Sequence, residues 1–214
     1  MISTPFGASF LIAVALLSAG CTKSALHSTA TPHLLERSRI AMGSRLRLTA
    51  WSADEAGVLS AFDDVFSEFV RLEQLMSTWI PDSDVVRINR SAGARPEPVS
   101  AEVRDVLETA RQVSEWTNGK FDVTFGALSG LWKFDHDQDN VMPDMGEVRR
   151  RLPLIDYRAI QIDNHARTVF LARAGMSVHL GGIGKGFAVD RAAGMLRERG
   201  IRDFMIQSGG DIYV

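Results

Sequence analysis

The sequence predicts an α+β domain of mixed strands and helices. The prediction rests on strand-like alternation around Leu46, Leu48 and Ala50, a helical apolar period from Val58 to Met76, and short apolar runs joined by turn residues toward the C-terminus. Because some of those runs are hairpin-connected, the pattern departs from a doubly wound parallel sheet.

The first twenty residues carry no Lys, Arg, Asp, Glu or His, and Ala8 to Leu17 is almost wholly apolar yet too short to span a bilayer comfortably. Residues 1–20 are therefore expected to be an export signal. The run LLSAG precedes Cys21, the only cysteine, and resembles a bacterial lipoprotein cleavage box, although the basic n-region is missing and Ser18 stands where Leu is usual. Cys21 is the expected lipidation site, since a lone cysteine in an exported chain has no internal disulfide partner. An ordinary signal peptide with an incidental cysteine is the alternative. Residues 21–38, rich in Ser, Thr, Ala and His, suit a tether between a lipid anchor and a domain at 39–214. The expected location is the periplasmic side of a bacterial cell envelope.

Within that domain, Arg45 to Trp51 is the first expected strand, and Ser52 with Glu55 forms a capping box for a long helix. That helix buries Val58, Phe62, Val65, Phe66, Phe69, Leu72 and Met76. A second helix follows Ser100, burying Val103, Val106, Leu107, Ala110 and Val113, and Asn118-Gly119 stops it. Ile160 to Ile162 and Thr168 to Leu171 are expected strands joined through Asp163-Asn164, and Ser177 to Leu180 is a third. A helix ending at Gly200 comes next. Asp203 to Gln207 and Asp211 to Val214 are the last strands, and the stop in the apolar Ile212-Tyr213-Val214 implies a domain that continues downstream.

The segment VHLGGIGKGFAVD, from Val178 to Asp190, sets four glycines and Lys185 between a strand-like and a helix-like run. Glycines bring backbone amides close to a ligand, a helix start adds oriented N–H donors, and the lysine adds a full charge, a combination suited to phosphate. A Walker A loop is excluded: His179 stands at its first position and Gly186 follows Lys185. A dinucleotide-binding fingerprint lacks a well-placed acidic ribose reader. A strand-to-helix turn using glycine only for geometry is the plain alternative. The formal net charge of −2, with no basic stripe, argues against nucleic acid as a partner.

Segments elsewhere complete a series: Met42-Gly43-Ser44, LMSTWIPDSDVVRIN from Leu75, GKFDVTFGALSGLW from Gly119, and LGGIGKGFAVD. Together, in this order and spacing, they resemble the FAD:protein FMN transferases, also called ApbE-type flavin transferases or thiamine-biosynthesis lipoproteins, over most of the chain from about residue 38. Departures are Ser44 for the usual Thr, Ala127 for the usual Pro, and His179 where the family commonly has Asp. The resemblance implies a T-fold-related domain, here incomplete at its C-terminus. It also implies transfer of FMN from FAD to a Thr or Ser hydroxyl of an acceptor flavoprotein in a membrane or periplasmic redox system, releasing AMP, with Mg²⁺ on the pyrophosphate.

On that implication Met42 and Trp79 line the flavin-nucleotide pocket, Trp79 by ring stacking. Lys120, Phe121 and Asp122 hold another part of FAD, Lys185 faces the phosphates, and the Gly182 carbonyl is a metal ligand. The remaining metal ligands would lie beyond Val214, so that residues 22–214 alone would be inactive. Alternatively, Trp79 caps the core as a loop aromatic and Asp122 caps a turn beside Gly119. The competing function is an exported lipoprotein that stores or delivers flavin without transferring it; a structural partner of an envelope redox complex is a third class, needing no phosphate loop.

Overall fold

The computed structural model describes residues 31–132 and 141–214. The export signal, Cys21 and most of the tether lie outside the described residues.

The described chain begins in strand β1 (His33–Ala41), which pairs antiparallel with β2 (Ser44–Ser52). The stretch assigned to a tether through residue 38 therefore already holds strand from His33 onward. Alternation shows why that strand was overlooked: only Leu35 and Ala41 are buried, while Leu34 and Ile40 face outward. Met42-Gly43 is the two-residue hairpin turn, with φ of 49° and 71°. Positive φ at both positions matches the right-handed twist of the strands, and glycine adopts it freely whereas methionine does so at a cost.

Helix α1 (Glu55–Met76) follows. Asp54, not Ser52, is its N-cap, accepting from the Gly57 amide at 3.0 Å, while the Ser52 hydroxyl accepts from the Asp54 amide at 3.0 Å. Ser52 is still a strand residue paired with His33, so the expected capping box gives way to an aspartate cap two residues later. All seven apolar residues expected to face inward on α1 are buried. They pack against Leu46, Leu48, Ala50 and Ile206 on one face of a sheet ordered β1-β2-β6-β7, where β6 is Phe204–Ser208 and β7 is Asp211–Tyr213.

Helix α2 (Asp84–Arg90) was not foreseen. Seven residues carry too little period to stand out, yet Ser83 caps it, accepting from the Val86 amide at 3.0 Å. After β3 (Glu97–Pro98) comes α3 (Ala101–Trp116), capped by Ser100 as expected and ended by Asn118 and Gly119 in the left-handed region. A 3-10 helix (Val123–Leu128) and α4 (Met145–Arg151) lead to β4 (Ile160–Asp163) and β5 (Thr168–Leu171), which form a second sheet ordered β3-β5-β4. Helix α5 (Gly184–Glu198) packs beside α1 and closes at Gly200.

The expected strand Ser177 to Leu180 is extended chain without a strand neighbour. Its ladder is replaced by the Asn89 carboxamide, which accepts from the Val178 amide at 2.7 Å and donates to the Val178 carbonyl at 3.0 Å. One residue on, the His179 amide donates to the Val123 carbonyl at 2.8 Å. The backbone groups of Val178 and the His179 amide thus find partners outside any ladder.

Candidate functional site

A cleft of about 340 Å³ opens where the tip of the β1-β2 hairpin and the end of α1 meet the start of α5. Its walls are Met42 and Gly43 from the hairpin turn, Glu73 and Met76 from the last turn of α1, Ser77, Thr78 and Trp79 from the following loop, and His179, Leu180, Gly181, Gly184 and Lys185 from the glycine loop. Segments far apart in sequence thus meet at one surface. That volume lies at the lower end of ligand pockets, roughly 300–1,000 Å³.

Trp79 stands at the lip and is 83% exposed, so it does not cap the core. It is nonetheless positioned. Its amide donates to the Ser77 hydroxyl at 3.0 Å, and the Ser83 hydroxyl donates to the Ser77 carbonyl at 2.6 Å, tying loop 77–83 to the start of α2. An exposed indole on a tethered loop is available for ring stacking. Met42 sits at the other side in its strained hairpin conformation, its Cε 3.7 Å from where a Cβ on Gly184 would lie. Strain of this kind persists where the surrounding structure determines it, and here it turns Met42 toward the loop.

Lys185 is the second residue of α5, and its aliphatic stem runs past Gly209 and Ser44: a Cβ on Gly209 would lie 3.8 Å from Lys185 Cδ and 3.4 Å from Ser44 Oγ. The hydroxyls of Ser44 and Ser208 are buried with no hydrogen-bond partner. A buried hydroxyl left unpaired costs about 1–3 kcal/mol. Ser208 pairs with the buried Leu46, and Ser44 lies two residues before Leu46 on the same face of the strand.

The glycine loop also walls a second cleft, of about 340 Å³, shared through Gly181 and Lys185 and bordered by Gly182, Ile183, Phe187, Asp190, Asp211 and the Val106 face of α3. The loop is therefore a partition with space on both sides. Gly182 belongs to this second side, with the carboxylates of Asp190 and Asp211 nearby. Among the described residues no group of three or more His, Cys, Asp or Glu side chains is placed to hold a metal ion. A hard cation such as Mg²⁺ wants about six oxygen ligands. The Gly182 carbonyl alone does not make that shell.

Lys120, Phe121 and Asp122 line neither cleft. Lys120 is exposed, and Phe121 lies beside Gly182, its Cε2 3.4 Å from where a Cβ there would stand. Asp122 is engaged inside the fold: Oδ1 accepts from the Thr124 amide at 2.8 Å and the Thr124 hydroxyl at 2.6 Å, and Oδ2 accepts from the Tyr157 amide at 2.9 Å. That is the turn-capping alternative. The segment around it works by position instead. Gly126 is required because a Cβ there would lie 2.5 Å from the Ser177 carbonyl oxygen, so only glycine lets the 3-10 helix rest against the extended chain that delivers His179.

Residues the sequence reading missed are Asn89, Glu73, Ser77 and Thr78. Asn89 enters the sequence reading only as the end of a motif; its signal is the one uncharged polar side chain of α2, a carboxamide next to the buried Ile88, which demands partners when shielded from water. Glu73 carried no signal beyond its helical position.

The model of the ApbE family matches residues 42–214. An FAD:protein FMN transferase of Klebsiella pneumoniae (strain 342) is 32% identical over 176 residues, covering 82% of this chain and 54% of the relative. A second from the same strain is 29% identical over 210 residues, covering 97% of this chain and 60% of the relative. Among solved structures, the flavin transferase ApbE from Vibrio cholerae superposes with a TM-score of 0.79 at 25% identity, over 86% of this chain and 59% of that one. The ApbE protein from Thermotoga maritima gives 0.76 at 25% identity, over 84% and 58%. The chain thus spans between half and two thirds of the length of these relatives.

Proposed function

Because this chain belongs to the ApbE family and shares its fold, we propose that it binds FAD across the glycine loop and transfers the FMN half to a Thr or Ser hydroxyl of an acceptor flavoprotein, releasing AMP. The observation that carries the reading is the convergence of Met42, Trp79, His179 and Lys185 on one cleft beside an open glycine backbone. An aromatic lip and a cation beside a wall of small glycines suit a flavin dinucleotide better than an apolar ligand.

In the reaction the acceptor hydroxyl oxygen bonds to the FMN phosphorus while the bond from that phosphorus to the bridging oxygen breaks; AMP leaves with the electron pair and the hydroxyl proton passes to solvent or to AMP. Such a displacement needs positioning and charge neutralisation more than covalent help. Lys185 offsets negative charge gathering on the phosphate oxygens. Trp79 stacks on a ring of the substrate, Met42 and Leu180 exclude water beneath it, and Phe121 supports Gly182 from behind. Mg²⁺ would neutralise charge on the pyrophosphate, and of the described residues the Gly182 carbonyl would supply one ligand, short of a full shell.

Placement on the periplasmic side of the envelope, anchored by a lipid on Cys21, is part of the same proposal and is supported by the sequence alone. The activity is tested by incubating the protein with FAD, Mg²⁺ and a Thr-containing acceptor domain, then looking for flavin fluorescence on the denatured acceptor. FAD bound and recovered intact, with no labelled acceptor, would leave the storage reading in its place.

A further inference from the structure

Gly181 and Lys185 border both clefts, so the two spaces meet at the glycine loop and its lysine. In the second cleft the wall opposite that loop is one face of α3, lined by Val106, Thr109 and Val113. Trp116 follows on the same face at helical spacing, three residues beyond Val113 and seven beyond Thr109. Exposure rises along this face: Val106 is buried, Val113 half-buried and Trp116 74% exposed. A bare indole at the end of a packed helix serves no core, and tryptophan is among the side chains most enriched where one protein anchors another. From the other wall come Ile183 and Phe187, each half-buried against the core, and the carboxylates of Asp190 and Asp211 also border the space.

The transfer reaction has two substrates, whereas the first cleft, at about 340 Å³, is near the lower bound for a single ligand. In-line displacement also sets the attacking hydroxyl and the leaving group on opposite sides of the phosphorus. Two clefts that meet at one lysine answer both needs. Resting on the flavin-transfer reading, we propose that the groove between α3 and α5 receives the acceptor: an extended segment of the partner flavoprotein lays small apolar side chains against Val113, Ile183 and Phe187, packs beside Trp116, and brings its Thr or Ser hydroxyl to the phosphate at Lys185. An extended segment presents unpaired backbone N–H groups, for which Asp190 and Asp211 are acceptors.

The test uses the natural gene product with FAD, Mg²⁺ and a Thr-containing acceptor domain, comparing the wild type with Thr109→Arg, which fills the groove, and Trp116→Ala, which removes the anchor, each checked by thermal melting. The KM for the acceptor should rise about tenfold or more in the Arg variant and about fivefold or more in the Ala variant. FAD affinity, and kcat at saturating acceptor, should stay within about twofold, because neither side chain belongs to the first cleft. An acceptor KM unchanged in both variants would overturn the proposal. So would FAD affinity falling in step with it, which would put the dinucleotide on this side of the loop. A large fall in melting temperature in Trp116→Ala would overturn it as well, by showing this face of α3 covered by the protein's own chain. A wild type that binds FAD and labels no acceptor would remove the transfer reading itself, and this inference with it.

Binding without chemistry supplies an independent arm. The acceptor domain with its target Thr replaced by Ala, titrated without FAD, should bind the wild type most tightly and both variants more weakly by the same factors. Equal binding to all three would place the acceptor elsewhere on the surface.

Discussion

Trp79 and Lys185 were legible in the sequence because an indole after Ser-Thr and a lysine between glycines have little packing reason to be there. With Trp79 83% exposed, Trp79→Ala should leave the melting temperature unchanged. Loss of a ring stack, about 0.5–1.5 kcal/mol, should weaken FAD binding by roughly 2- to 13-fold. Equal affinity at equal stability in a fluorescence titration would take Trp79 out of the site. Lys185→Met should behave differently, lowering the rate of FMN transfer by about 10²–10³ while FAD affinity falls less, because charge develops on the phosphates in the transition state. Single-turnover transfer at saturating FAD checks this; wild-type turnover would reduce the lysine to a structural role. Asp122 shows the limit of motif reading. Its carboxylate has three donors within the fold, two on the nearby Thr124 and a third, the Tyr157 amide, that lies too far along the chain for a local pattern to display.

At the scale of elements, what sequence analysis missed had weak periodicity or borrowed partners. The 177–180 segment has the composition of a strand, yet it is held by the Asn89 carboxamide of α2 and the Val123 carbonyl, so its glycine loop leans on Asn89. Asn89→Ala would leave the Val178 amide and carbonyl without partners in a part-buried setting, a loss of about 1–3 kcal/mol, and should weaken FAD binding along with stability. Denaturant unfolding beside an FAD titration tests it, and an effect on neither would show that the strap holds without the side chain. Helices α1, α3 and α5 are cross-linked through Glu68, which accepts from Arg71 Nε and Nη2 at 2.8 Å each and from Arg191, while Arg71 also meets Glu102 at 2.5 Å. The Arg71 hydrogen bonds hold the Glu68 carboxyl below its usual pKa. A carboxyl whose folded pKa is depressed adds stability above its unfolded value, about 4.3, and loses it as pH falls through the folded value. Glu68→Gln should therefore cost about 1 kcal/mol at neutral pH, and the difference should shrink as pH drops below about 4. A pH-independent difference would assign the loss to packing instead.

Across the whole molecule, the alternation of Leu46, Leu48 and Ala50, the α1 period and the terminal hairpin made the α+β class readable. The tip of the β1-β2 hairpin was not, because an amphipathic edge strand beginning at His33 looks like a polar tether until its partner is known. The cleft exists because that tip, the end of α1 and the start of α5 reach the same place, a convergence visible only in three dimensions. The claim that this convergence serves FMN transfer is tested most directly by mass spectrometry of an acceptor domain after incubation with the natural gene product, FAD and Mg²⁺. The account predicts an acceptor heavier by one FMN less one water, with the flavin on a Thr or Ser and the adduct greatly reduced by Lys185→Met. An acceptor of unchanged mass beside a protein that holds FAD would contradict it.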